Sequence, residues 1–377
     1  MNSYPLLTPV PISGLGIHFR GDVATPIVNV RDKGAKGDGK TNDTAAFQAA
    51  VDDVPLTGGT VIVPRGDYRI DVTKAIVLHS NMLFLMDPAA TLAAIPTDSG
   101  RYWVIKVWEV DNVRIVGGTI VGERTGHQGT TGEQGYGINI QSSTNVMVSD
   151  INIRNCWGDG MWIGALGADG QAVPAVNVMV NRVVSTNNRR QGLSIGPAEN
   201  VVIMNSTFSG SDGTNPKAGI DIEPQRQGFT RNITISHCIM TRNRGCGMEV
   251  HGNVIGLSVD NCVFNDNFGY GVLTNEEHDM NEKEPTGLTF SNNTFTRNGL
   301  VGALIAGHSN YVHIAHNTMV GNGFRYPLNP GDDPDRDWWT RHDAGISAPG
   351  DAEHSVEPEL LIREAASNVT VRDNTFT

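Results

Sequence analysis

Four side chains able to move protons or hold cations fall in two short segments of like pattern, residues 218–226 and 246–252. Alternation within each predicts a strand that turns Ile220, Ile222, Met248 and Val250 inward and sets Asp221, Glu223, Glu249 and His251 outward on one face. Folding alone does not call for acids opposite acids, because like charges across a strand pair repel. Paired carboxyls suit acid–base chemistry instead: repulsion and desolvation split their pKa values, so that one stays protonated while another is ionised. Glycoside hydrolysis needs such a pair. Asp221 and Glu249 are nearest in register, and Glu223 faces His251.

Other chemistry-bearing residues gather around this patch. Glu133, in a glycine-rich insertion spanning residues 122–136, enters close to Asp159 and makes a second acid pair, for catalysis or for holding a sugar. Arg189, Arg190 and Arg226 flank the acids, and planar guanidinium forks match the carboxylate of a uronate. Trp162, Tyr136 and His127 offer a stacking or hydrogen-bonding wall, and Gly164 and Gly196 leave a floor on which a flat ring could lie. Three readings stay open. The first is a glycoside hydrolase using Asp221, Glu223 and Glu249. The second is a uronate lyase or C5-epimerase in which His251 or Tyr136 takes the proton. The third is a non-catalytic carbohydrate-binding fibre or adhesin whose acids hold Ca²⁺. No cofactor is required, and Ca²⁺ is compatible with the last two.

The positioning elements are legible as a repeat. From Tyr136 onward a glycine followed by alternating apolar residues recurs at Gly137, Gly160, Gly192, Gly219, Gly247, Gly271, Gly302 and Gly345. A second phrase with Asn or a polar equivalent follows each, as in NVVIMNSTF and NITISHCIMTRN. Such repeats, with insertions of varying length at fixed places, mark a solenoid, and the alternation makes it an all-β one. Stacked parallel strands turn register into a surface map: Asn139, Trp162, Ser194, Asp221, Glu249 and Leu273 form one outward column. Asn181, Asn205, Asn261 and Asn292, with His237 and His316, fall near one turn as a structural ladder.

Composition agrees, with 44 glycines in 377 residues. A formal charge of −12 disfavours a nucleic-acid partner. Cys156, Cys238, Cys246 and Cys262 have neither zinc spacing nor disulfide-scaffold density and read as buried thiols. No secretory leader is visible in residues 1–21, and no apolar stretch approaches the ~20 residues of a membrane span. Residues 1–26 read as an N-terminal arm and 27–377 as one domain, with a helix over 41–54 and regular coils over 136–377. Phe47, Ala50, Val51 and Val54 give that helix one apolar stripe. The insertion over 122–136 and another after Asn275 are expected to wall the groove, that over 323–339 to serve as a sugar platform or a subunit contact, and the last coil, ending at Thr377, to be covered by a neighbouring subunit or a further segment.

The stretches GAKGDGKTNDTAAFQAAV and GGTVIVPRGDY resemble the start of the pectate-lyase-like superfamily. The resemblance implies a right-handed, single-stranded parallel β-helix whose N-terminal α-helix caps the open end. GERTGHQGTTGEQGYG, NCWGDGMWIG, NNRRQGLSI and AGIDIEP are similar to a bacterial and phage-associated group within it. That similarity implies a polysaccharide ligand, an extracellular or virion location and, by analogy with tailspikes, a homotrimer. The paired Asp-Asp and Gly-His-Gly phrases of polygalacturonases and the Asp-Pro-His-Glu-Gln phrase of alginate epimerases are absent, so the resemblance leaves the reaction open.

Overall fold

A computed structural model describes residues 25–274, 283–305, 308–323, 359–362 and 366–377. The insertion after Asn275, most of that beginning at Gly323, the phrase at Gly345 and nearly all of the expected arm lie outside these residues. The described strands form three parallel sheets of twelve, twelve and ten strands, in which each strand pairs with its counterpart one coil on. The fold is a right-handed parallel β-helix, and its pairing reaches back to Ile27, well before the first glycine phrase.

The third sheet carries the phrases. Ile138, Met161, Leu193, Ile220, Met248 and Val272 lie in successive register and are fully buried in the coil interior. The glycine before each has a steric cause. A Cβ on Gly137 would lie 2.7 Å from the carbonyl oxygen of Gly160, one on Gly192 2.6 Å from that of Gly219, and one on Gly219 2.6 Å from that of Gly247. The coils approach too closely at this corner for any side chain.

Two polar ladders run beside it. At one turn Asp150, Arg182, Asn205, His237, Asn261, Asn292, His316 and Asp373 all hold φ between 50° and 58°. Asn, Asp and His tolerate this left-handed conformation best after glycine, which accounts for Asn205, His237, Asn261, Asn292 and His316 of the expected column, whereas Asn181 stands one residue earlier and Arg182 takes its place. At a second turn, Asn243, Asn267, Asn298 and Asn322 are buried amides in series. Each Oδ1 of the last three accepts from the backbone N and the Nδ2 of the asparagine one coil before, at 2.8–3.2 Å. Losing one such amide would leave buried backbone groups unpaired, at about 1–3 kcal/mol each. All four cysteines are buried free thiols.

The capping helix runs Thr44–Asp52, shorter than the expected 41–54. Thr41 and Asn42 belong to the strand Asp38–Asn42, and Asn42 Oδ1 accepts from the backbone N of Thr44 at 3.1 Å. The Asp43 carboxylate closes the glycine-rich turn instead, accepting from the backbone N of Lys36 at 2.7 Å and of Gly37 at 3.1 Å. Phe47 packs edge-on against Tyr68, with ring centroids 5.1 Å apart, and so plugs the first coil. No helix among the described residues is long and apolar enough to cross a membrane.

The glycine corner gives a direct test. Gly219→Ala should cost about 1–3 kcal/mol of overpacking, whereas at Gly228 a Cβ meets its nearest neighbour at 3.4 Å and Gly228→Ala should be near neutral. Thermal unfolding of the two variants side by side checks this; equal midpoints would refute the steric account.

Candidate active site

The register map of the third sheet places the predicted residues together. Lys106, Asn139, Trp162, Ser194, Asp221, Glu249, Leu273 and Leu304 follow one another across successive strands on its outward side. Outward does not mean exposed here. The Asp221 side chain is 0% and that of Glu249 1% exposed, against 15% for His251 and 20% for Glu223. The expected open acidic patch is therefore a sunken one. Its C-terminal neighbours are apolar: Leu273, Leu304, Tyr270, Leu300 and Val301 cluster with Cys246 outside the coil interior, next to Glu249.

Two cations hold the acids in place. His251 Nε2 lies 3.0 Å from Asp221 Oδ1 and 3.8 Å from Glu249 Oε2. Arg190 reaches Asp159 Oδ2 at 3.3 Å, Glu223 Oε2 at 3.5 Å and Glu133 Oε2 at 4.0 Å. The two acid pairs expected to be rivals are thus one network with Arg190 at its hub. Ser194, already in the outward column, and Gln191, which the sequence did not single out, link its halves. Gln191 Nε2 donates to Asp221 Oδ2, while its Oε1 accepts from Arg190 at 2.6 Å. Ser194 Oγ lies 2.8 Å from Asp159 Oδ2 and 2.5 Å from Gln191 Oε1, and its single proton serves one of them at a time. Their place within the glycine phrase is the signal that marked them: Ser194 stands in the same column as Asp221.

Burial and crowding set the protonation states. Burial, then the charge of Asp221, pushes the Glu249 carboxyl up to about 8. Burial raises Asp159 to about 7, only partly opposed by Arg190 and Ser194. For His251 burial disfavours the charge, but Asp221, Glu223 and Glu249 together outweigh it and raise the imidazole to about 10. Burial and nearby Asp159 also hold the Tyr136 hydroxyl firmly protonated.

Other expected contacts are corrected. The glycine floor is already filled by the indole of Trp162: a Cβ on Gly164 would meet its Nε1 at 2.7 Å, and one on Gly196 its Cζ2 at 3.1 Å. A substrate ring would lie on that indole, not on the glycines. His127 is no wall residue, since its buried ring stacks on Trp157 at 3.7 Å and bonds Glu123 at 2.9 Å. Arg189 covers Trp157 at 3.8 Å and donates to the carbonyl of Gly132 at 2.9 Å, so both pin the insertion to the coil. Tyr136 is buried and tilted against Trp162 at 5.9 Å. Arg226 is exposed in the 3-10 turn Gln225–Gln227 that follows the acidic strand.

Ligand atoms of Asp221, Glu249 and His251 lie within 4.8 Å of one another and could gather around a divalent cation. With one imidazole and two carboxylates, the trio falls short of the six to eight oxygens that Ca²⁺ takes.

Comparison with known proteins bears on this geometry. Residues 27–106 match the family described as rhamnogalacturonase A/epimerase, pectate lyase-like, and residues 176–322 match the right handed beta helix region. The chain is a right-handed parallel β-helix whose first coils are similar to the pectate-lyase-like family. YclG of Bacillus subtilis (strain 168) is 28% identical to this β-helix over 287 residues, covering 66% of the chain and 47% of YclG. An exo-poly-alpha-D-galacturonosidase of Dickeya chrysanthemi is 22% identical over 322 residues, 64% of this chain and 50% of that one. The β-helix thus spans about half the length of these curated relatives. Among solved structures, the A-module of mannuronan C-5 epimerase AlgE6 from Azotobacter vinelandii superposes with a TM-score of 0.59 at 21% identity, over 78% of this chain and 77% of that module. The Dettilon tailspike protein gives 0.66 at 14% identity, over 93% and 62%.

The raised values of Glu249 and His251 make the β-helix bind protons that its unfolded chain would release. Their contribution is full below the unfolded values and is lost as pH rises through about 8 for Glu249 and about 10 for His251. The thermal midpoint should fall between pH 5 and pH 9, and Glu249→Gln should flatten the fall through about 8. Parallel profiles for parent and variant would contradict the assignment.

Proposed function

We propose that this β-helix is a polysaccharide-degrading glycoside hydrolase whose chemistry is carried by Glu223, Glu249 and Asp221. The observation that carries the reading is the in-register pair Asp221 and Glu249, with Glu223 at its open edge and His251 and Arg190 as fixed counter-charges. Glu249 keeps its proton at neutral pH, as a donor to a leaving glycosidic oxygen must. Glu223, the most exposed of the three and paired with Arg190, offers its carboxylate to water or to the sugar. Asp221 beneath them holds His251 and is itself held by Gln191.

The rival lyase or epimerase reading requires His251 or Tyr136 as the base. Both are held in their protonated forms, which favours hydrolysis over proton abstraction by either. A galacturonosidase and a mannuronan epimerase among its relatives support a uronate-containing glycan as the substrate class. The tailspike protein among its structural neighbours supports a location outside a cell or on a virion, where such a glycan is met. A second reading, a fibre that holds a cation without catalysis, is favoured by one observation: both Glu249 carboxylate oxygens are buried without a hydrogen-bond partner.

Incubation with neutral and uronate polysaccharides, following reducing ends and ultraviolet absorbance together, separates these. The expected result is new reducing ends without absorbance, reduced at least about a hundredfold in Glu223→Gln and in Glu249→Gln. Absorbance that survives both substitutions would overturn the hydrolase reading in favour of elimination. A thermal midpoint raised by millimolar Ca²⁺ or Mn²⁺, with no product from any glycan, would establish the fibre.

A further inference from the structure

N-terminal of the acids, the same outward face changes character. On the strand Arg101–Trp108 the apolar Tyr102, Val104, Ile105 and Val107 fill the coil, while Trp103, Lys106 and Trp108 face out. The Lys106 ammonium sits 3.5 Å from the Trp108 ring centroid and 5.3 Å from that of Trp103, and the Arg101 guanidinium lies 5.5 Å over Trp103. The two indoles meet edge to face at 5.1 Å.

A lysine stem lying along an indole is ordinary surface packing. Two further features are not explained by packing. Neither Lys106 nor Arg101 has a carboxylate within ion-pair distance among the described residues, although the chain carries a net −12 and Arg190 on the same face meets three acids. And the indole N–H of Trp103 is buried without a hydrogen-bond partner, as is that of Trp162 further along the row. The Trp108 indole N–H is taken by Asn139 Oδ1 at 2.5 Å, so this end of the face presents two cations, the Trp103 N–H and aromatic faces that meet no acceptor among the described residues. The other end presents carboxylates.

We propose that Arg101, Trp103, Lys106 and Trp108 form a distal subsite for an anionic sugar unit. The sugar's carboxylate meets Lys106 and Arg101, and its ring lies against the indoles. The inference rests on the polysaccharide reading of the acidic site and deepens it by fixing where substrate charge is recognised. Lys106 is four strand steps from Asp221 in one register column, through Asn139, Trp162 and Ser194. At ~4.8 Å per step the subsite lies about 19 Å from the acids. Only a chain of several sugars spans both, with Tyr136 and Trp162 beneath its middle. The acidic centre itself then takes a unit whose charge is not read by the protein, so that the substrate's carboxylate need not enter a pocket already crowded with carboxylates.

Binding rather than turnover tests this. Galacturonate, mannuronate and neutral glucan octasaccharides, with the matching disaccharides, are titrated by calorimetry into the Glu223→Gln protein, alone and combined with Lys106→Gln, Arg101→Gln or Lys106→Arg. Lys106→Gln should weaken an acidic octasaccharide about tenfold, the scale of one charged hydrogen bond. It should leave disaccharide and neutral octasaccharide unchanged, and Lys106→Arg should restore most of the loss. Raising the salt concentration should reduce the difference between acidic and neutral chains. The subsite is overturned if Lys106→Gln and Arg101→Gln both bind the acidic octasaccharide as the parent does, if disaccharide and octasaccharide lose equally, or if no acidic octasaccharide binds. Because these readouts need no cleavage, a subsite that binds in a protein that cleaves nothing removes the hydrolase reading alone. Cleavage by the parent with binding indifferent to Lys106 removes the subsite alone.

Discussion

The closest approach of backbone to backbone, at the glycine corner of the third sheet, is the constraint on which the rest depends. Each phrase glycine from Gly137 to Gly271 lies tight against the carbonyl of the next, and Gly302 against that of Glu359. With no side chain tolerated there, a strand cannot slip by one residue without driving a Cβ into that carbonyl. A one-residue slip in a strand exchanges its inward and outward faces. The corner therefore decides that Ile220 and Met248 fill the coil while Asp221 and Glu249 face out, and the chemistry of the face is inherited from packing at its edge.

Placing acids in adjacent coils creates a cost that the surroundings must offset. Separation of ~4.8 Å between strands leaves little room for solvent between carboxyls, and the apolar cluster around Leu273 and Tyr270 removes solvent from one side. Buried charges are retained only when paired and hydrogen-bonded. Arg190 and His251 supply the pairing, and Gln191 and Ser194 supply most of the hydrogen bonds. What these partners do not offset appears as protonation. Glu249, with two buried oxygens and no hydrogen-bond partner, takes up a proton near neutral pH. The same imbalance that weakens the fold locally would supply the two protonation states that the proposed acid–base chemistry needs.

The fold and the composition of the site were readable because both follow from register. Alternation located the strands, the recurring glycine located the corner, and counting from it put Asp221 beside Glu249. The buried asparagine ladder is formed by the Asn that closes the second phrase: Asn243, Asn267 and Asn298 each stand four residues before a phrase glycine. Burial of the acids was not legible, because it depends on side chains that arrive from other coils and on the cluster at Leu273, none of which register alone positions. The reach of side chains was hidden for the same reason. Arg190 is long enough to join Glu133, Asp159 and Glu223, which sequence separates into different sites. Trp162 folds over the glycines meant as a floor. His127 and Arg189 are drawn from the groove by a third residue, Trp157, whose two faces they cover.

Seen along its axis, the outward face is electrically polarised. Cations, with the Trp103 indole N–H that meets no acceptor, stand at the N-terminal end, and carboxylates with two shared cations at the other. A polarised groove does more than attract a charged chain. On the proposed reading it would orient one, because a polymer laid in the opposite direction presents its substituents differently to Lys106 and Arg101, which are fixed on one strand. Specificity then arises from a difference between two placements of the same molecule, one meeting cations and the other leaving them unpaired. The acids contribute to that difference as well, since a carboxylate held near Glu223 and Asp221 would meet like charge. On that reading, recognition of charge at one end and its exclusion at the other would be two effects of one arrangement, a single column of outward side chains kept in register by glycine.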